Sequence, residues 1–139
     1  MIEFEFTQDP LSLDKAVYKD WIERVCRSEK KELGDIQYTF CSDAELHEMN
    51  LSVLNHDTLT DIITFDMVVG TVISGDIFIS TDRVRENAKE YDVFFDEELR
   101  RVMIHGVLHL CGYPDKTNEE NQIMRRLEDK KLEMFHVEQ

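Results

Sequence analysis

Apolar and polar positions alternate at the start of the chain, where Ile2, Phe4 and Phe6 are separated by Glu3 and Glu5. A period of two belongs to a strand with one face buried. From Asp14 to about Lys30 the period changes: Ala16, Val17, Trp21, Ile22 and Val25 recur at helical spacing, with Ser12 or Asp14 placed to cap the helix. A second strand is predicted around Ile36, Tyr38 and Phe40. Ser42 then caps a helix through Leu46 and Met49 towards Val53, and Glu45 three residues on completes a capping box. Asp61 to Met67 is rich in β-branched and aromatic residues and reads as a strand. Gly70 marks a turn, and Gly75 to Ser80 reads as a further strand paired with the one before it. Thr81 opens a helix through Val84, Ala88 and Tyr91. Asp96 opens the next, with Leu99, Val102, Met103, Val107, Leu108 and Leu110 on its apolar side. Thr117 and Glu120 form a capping box for a last helix through Ile123, Leu127 and Phe135. Strands come first and helices dominate afterwards, which predicts an α+β fold, a mixed four-stranded sheet covered by helices.

No repeat, low-complexity run or linker interrupts this pattern, so residues 1–139 are expected to form one domain, long enough for a core without staples. The three cysteines, Cys26, Cys41 and Cys111, are odd in number and widely spaced. With no CxxC pair, neither a disulfide framework nor a thiolate zinc site is expected, and a reducing, cytoplasmic setting is the default. The first ten residues carry acids where a secretory or transit sequence needs bases. The uncharged run from Met67 to Gly75 is too short to span a bilayer, so no membrane partner is expected.

Charge narrows the picture further. Thirty acidic and 16 basic side chains give a net charge of −14. Phosphate affinity normally comes from Lys and Arg, so a free-standing nucleic-acid binder is disfavoured and DNA is not expected as a partner. A nuclease with a local basic patch, a metal centre or a basic protein partner stays within reach.

The chemistry concentrates in His105-Gly106-Val107-Leu108-His109-Leu110-Cys111-Gly112-Tyr113-Pro114-Asp115. His105 and His109 are four residues apart and stack on one face of a helix. Gly112 allows the helix to stop in a left-handed turn, and Pro114 keeps it from resuming, so Asp115 is free to swing back towards the imidazoles. Two nitrogens and one oxygen, with a position open for water, are the ligand set of a catalytic zinc at the C-terminal end of a helix. Nickel or another divalent metal suits the same donors. The alternative is a pair of buried histidines hydrogen-bonded to backbone or carboxylates. Zinc proteases with two helical histidines carry Glu directly after the first; here that position is Gly106. Gly106 serves either close approach of a strand or substrate, or tight helix packing. Asp61 and Asp76 either support a metal-binding imidazole, act as a base, or cap loops. Cys111 reads as a small buried residue.

His105-Gly106-x-Leu108-His109-Leu110-x-Gly112-Tyr113 resembles the signature of the YbeY-type endoribonucleases, the rRNA maturation factor family. Thr60-Asp61-Ile62-Ile63-Thr64-Phe65 is similar to that family's Thr-Asp-Val-Leu-Ser-Phe strand. Gly75-Asp76-Ile77 matches its Gly-Asp-Ile strand, and Arg101 to Ile104 its hydrophobic lead-in. The resemblance implies an α+β fold, a zinc ion, and hydrolysis of RNA phosphodiesters by metal-activated water. It further implies single-strand-specific cleavage, 3′-end maturation of small-subunit rRNA, ribosome biogenesis, and contact with the ribosomal small subunit and its proteins.

Two positions depart from the family pattern. The third metal histidine falls on Asp115, so the expected metal ligands and catalytic residues are His105, His109 and Asp115. The family's Arg before the Thr-Asp strand falls on Leu54, and no Arg lies between Arg27 and Arg83. His56 is nearby, and Arg83, Arg85, Arg100 and Arg101 are the alternative phosphate clamps, each against the plainer reading of a solvated helical face. The rival functions are a zinc hydrolase or peptidase acting on another substrate, and a non-catalytic ribosome-assembly factor.

Overall fold

A computed structural model of the chain describes residues 1–54 and 60–137. Its elements follow the order β1 (Ile2–Phe6), α1 (Lys15–Ser28), β2 (Glu32–Cys41), α2 (Asp43–Ser52), β3 (Ile62–Asp66), β4 (Val72–Ser80), α3 (Thr81–Tyr91), α4 (Phe95–Leu110) and α5 (Asn118–Val137). The four strands make one mixed sheet in the order β1-β2-β4-β3. β1, β2 and β4 run parallel, and β3 pairs antiparallel with β4 at the edge, as the adjacent Gly-turned strands predicted.

Alternation along the strands sorts the two faces. Ile2, Ile36, Tyr38, Phe40, Ile73, Ile77 and Ile79 join Trp21, Ile22 and Val25 of α1 and Leu99, Met103, Ile104 and Val107 of α4 in the main core. Large apolar side chains on both sides of that layer are worth roughly 1.5–3 kcal/mol each on burial, so α4 is held against the sheet along its length. Polar groups carried into this core have partners. Tyr38 Oη donates to the Met103 carbonyl at 3.0 Å, and Trp21 Nε1 to the Lys131 carbonyl at 2.7 Å, tying α1 to α5. On the opposite face Cys41 and Ile63 pack under Leu46 of α2.

Caps fall close to their predicted positions. Asp14 accepts from the Val17 N–H, Ser42 and Glu45 form the reciprocal box, and Thr117 and Glu120 do the same ahead of α5. Two starts differ. Ser80, the last residue of β4, caps α3, because its hydroxyl accepts from the Arg83 N–H at 3.1 Å. Helix α4 begins at Phe95, behind Phe94, which gives no side-chain cap. Asp96, Glu97 and Glu98 lie inside its first turn, where acids favour the positive end of the helix dipole. β4 also reaches back to Val72, further than Gly75, because its first residues pair with Glu32 and Leu33.

Candidate active-site cleft

Helix α4 is aimed at its site by two glycines. A Cβ on Gly106 would stand 3.0 Å from the Ile77 Cδ1 and 3.1 Å from the Ile62 Cδ1, so its missing side chain lets α4 lie close on β3 and β4. Tight packing, with a strand as the approaching partner, is the role Gly106 fulfils. Gly112 has φ of +108°, and the chain ends the helix in a Schellman turn: the Gly112 N–H bonds to the His109 carbonyl and the Tyr113 N–H to the Leu108 carbonyl. Tyr113 Oη then donates to Glu29 at 2.6 Å, and Lys131 Nζ holds the other oxygen of Glu29 at 2.7 Å. Asn121, with its amide nitrogen facing Asp115, donates to the Asp115 backbone and side chain. The segment after the helix is thereby folded back over the end of α4.

This return brings Asp115 to His105. The His105 Nε2 and Asp115 Oδ2 are 3.3 Å apart. The other ring nitrogen, Nδ1, lies 2.7 Å from Glu128 Oε2 on α5. Glu128 is itself gripped by Arg101, one turn back on α4, at 3.0 Å, and Arg101 also reaches Asp129 at 2.6 Å. Burial opposes charge on the imidazole, but the Glu128 hydrogen bond and the charges of Glu128, Asp115 and Asp61 outweigh it and raise its pKa.

That field tests whether the site suits a cation. Two donors on one tetrahedral zinc stand about 3.3 Å apart, given bonds of about 2.0–2.1 Å. The His105–Asp115 pair has this separation, and a carboxylate on the far nitrogen is the usual partner of a metal-ligating histidine. Three carboxylates draw positive charge to one imidazole, so the donor chemistry fits a divalent ion. His109 lies one turn on and faces solvent. Among the described residues, no three His, Cys, Asp or Glu side chains converge on one point. The structure therefore brings together His105 and Asp115 but not His109.

Around the pair lies a cleft of about 520 Å³. Asp61 enters it ahead of β3, Asn87 and Tyr91 from α3, Glu98 and Arg101 from α4, and Arg125 from α5. Burial raises the Asp61 pKa, against the opposing charge of His105. Burial likewise pushes Glu98 up to about 7: Asp61 and Glu128 add to the rise, while Arg101 and Arg125 oppose it.

Other sequence expectations resolve differently. Asp76 is paired in register with Gln37 and Phe65 on the other face of the sheet and lines a separate depression with Glu3 and Met67. It supports no imidazole, because alternation along β4 turns it away from α4. Arg83 is bound to Asp43 at 2.6 Å, Arg85 pairs with Asp82 at 3.8 Å, and the Arg100 guanidinium sits 4.4 Å from the Phe135 ring centroid. Of the four arginines suggested as phosphate clamps, Arg101 alone lines the cleft. Leu54 is half-exposed, and His56 lies outside the described residues. Burial pushes the Cys111 thiol up to about 11, as befits a packing residue.

The profile of the endoribonuclease YbeY family matches residues 3–136. The endoribonuclease YbeY of Flavobacterium johnsoniae is 53% identical over 140 residues, covering all of both chains. That of Christiangramia forsetii is 55% identical over 122 residues, covering 88% of this chain and 85% of its own. The chain belongs to the YbeY endoribonuclease family. A solution structure of a Thermotoga maritima protein has the same fold, with a TM-score of 0.68 and 26% identity over 99% of this chain and 91% of that one. YbeY membership favours one of the rival functions: the chain is an endoribonuclease. Among the described residues of this YbeY chain, no helix is long and apolar enough to cross a membrane. The cleft residues that sequence reading missed, Glu98, Glu128, Asn87 and Arg125, all come from helix faces whose charge suggests solvent.

Proposed function

We propose that this single domain is a metal-dependent, single-strand-specific endoribonuclease of the cytoplasm that matures the 3′ end of small-subunit rRNA. Its divalent ion, zinc before nickel, is held by His105, His109 and Asp115. The observation that carries this reading is the His105–Asp115 pair at 3.3 Å, with the remaining nitrogen of His105 fixed on Glu128. A divalent ion on these donors supplies Lewis-acid activation of water and of a phosphoryl oxygen. Glu128 sets the tautomer that leaves Nε2 of His105 free, and Arg101 holds Glu128 in turn. His109, on the same helical face one turn further, is the third donor. Arg125 offers the phosphate a cation, and the side chains of Asn87 and Tyr91 line the path of the strand. Contact with basic small-subunit proteins fits a chain whose own charge is −14.

Metal analysis beside RNA cleavage tests this. His109→Ala and Asp115→Ala are each expected to lose bound zinc and to lose cleavage of a single-stranded rRNA fragment together, while staying folded. Full cleavage by a metal-free variant would overturn the reading, and so would unaltered zinc content in both.

A further inference from the structure

Glu98 stands two helical turns before His105 on α4, so both side chains enter the same cleft. It is only 5% exposed. Among the described residues its carboxyl group makes neither a hydrogen bond nor an ion pair, and its oxygens open onto the cleft. A carboxylate on so little-exposed a residue is normally paired, because partial loss of water around its charge is costly. The reason it has no partner is visible in its neighbours. Arg101, the cation one turn on, is committed to Glu128 and Asp129. Arg125 from α5 lies over the Tyr91 ring, 5.8 Å from its centroid. Asp61 from the start of β3 and Glu128 from α5 present negative charge to Glu98. α3 contributes the Asn87 amide, which donates to Asp61 at 3.4 Å, and the Tyr91 phenol. Asp61, Glu98 and His105 all line the one cleft.

We propose that Glu98 is the proton donor to the leaving oxygen in RNA cleavage, a role that rests on the phosphodiester lying in this cleft beside His105. In the step, a water oxygen forms the new bond to phosphorus. The phosphorus–oxygen ester bond breaks, and its electron pair stays on the departing ribose oxygen. The Glu98 proton moves onto that oxygen, and the proton shed by the water restores the acid. A carboxyl pushed up to about 7 keeps its proton for a large fraction of the time at neutral pH, yet releases it readily. The ribose alkoxide is a poor leaving group and needs the proton; a p-nitrophenolate does not.

That contrast supplies the experiment. Wild type and Glu98→Gln are compared on single-stranded RNA and on bis(p-nitrophenyl) phosphate, with zinc content and thermal unfolding measured on the same preparations. Glu98→Gln is expected to lower kcat on RNA by about 100-fold or more and to change the aryl diester rate by less than about threefold. Glu98→Asp, which restores an acid on a shorter arm, should recover part of the RNA rate. Equal losses on both substrates would overturn the proposal and reduce Glu98 to a structural role, as would undiminished RNA cleavage. His105→Ala separates the two levels of the argument. If it leaves RNA cleavage intact, the cleft itself is wrongly assigned. If it abolishes both activities while Glu98→Gln slows both equally, only the role of Glu98 falls.

Discussion

Glu128 divides its two carboxylate oxygens between Arg101 at 3.0 Å and His105 at 2.7 Å, and it does so almost fully buried. Its negative charge both orients the imidazole and raises the basicity of the free nitrogen. Glu128→Gln keeps the shape and removes the charge. The apparent zinc affinity is therefore expected to fall by about 10–100-fold, read by competition with a chromogenic chelator. An unchanged affinity would mean that Glu128 serves packing alone. At this scale the sequence is uneven in what it discloses. His105 and Asp115 are legible because spacing and a glycine stop act over a few residues. Glu128 and Glu98 are not, since Glu128 meets His105 only through the docking of α5, and Glu98 joins the cleft only through the burial of the first turn of α4. The sequence offered only spacing: Met124, Glu128 and Lys131 recur at i, i+4 and i+7, and the structure buries all three. Asp76 shows the converse, an acid in an apolar strand context whose pleat parity sends it to the far face.

The elements were far more legible than their contacts. Each strand and helix follows from its own period and caps, all of which are local. The order β1-β2-β4-β3 is not local, for it places β4 beside β2 and leaves β3, which precedes β4 in the chain, at the edge. The seating of α4 on β3 and β4 is the element-level fact on which the cleft depends. Gly106 controls it, because any Cβ there meets Ile77 and Ile62 at once. Gly106→Val removes the flexibility cost of glycine but adds three carbons where the space is already filled. Overpacking of this kind costs about 1–3 kcal/mol, against a helix-propensity gain of only a few tenths. A lower denaturation midpoint in urea is expected, with the zinc affinity reduced as His105 shifts outward. A variant as stable as the wild type would show that β3, the edge strand, yields to make room.

Over the whole molecule, a net charge of −14 must be reconciled with an RNA substrate. A protein that holds RNA by many Lys and Arg contacts releases counterions on binding and loses affinity steeply as salt rises. Here the cations lining the cleft are Arg101, already bound to two acids, and Arg125. Few phosphates are neutralised, so little counterion release is available. The opposing effect is large: the protein's field repels the approaching strand over a screening length of about 30 Å in 0.01 M salt, but only about 8 Å at 0.15 M. Raising salt across that range should relieve repulsion faster than it weakens the few direct contacts. The KM for a short single-stranded RNA is therefore expected to stay level or fall, opposite to the usual nucleic-acid-binding slope. Steady-state cleavage at fixed divalent-ion concentration measures it. A KM that rises tenfold or more would point to a basic surface stronger than the two cleft arginines. A cationic small-subunit protein bound to the acidic exterior should act like added salt, lowering KM most where the salt is lowest. The two treatments should not add, because each removes the same long-range barrier.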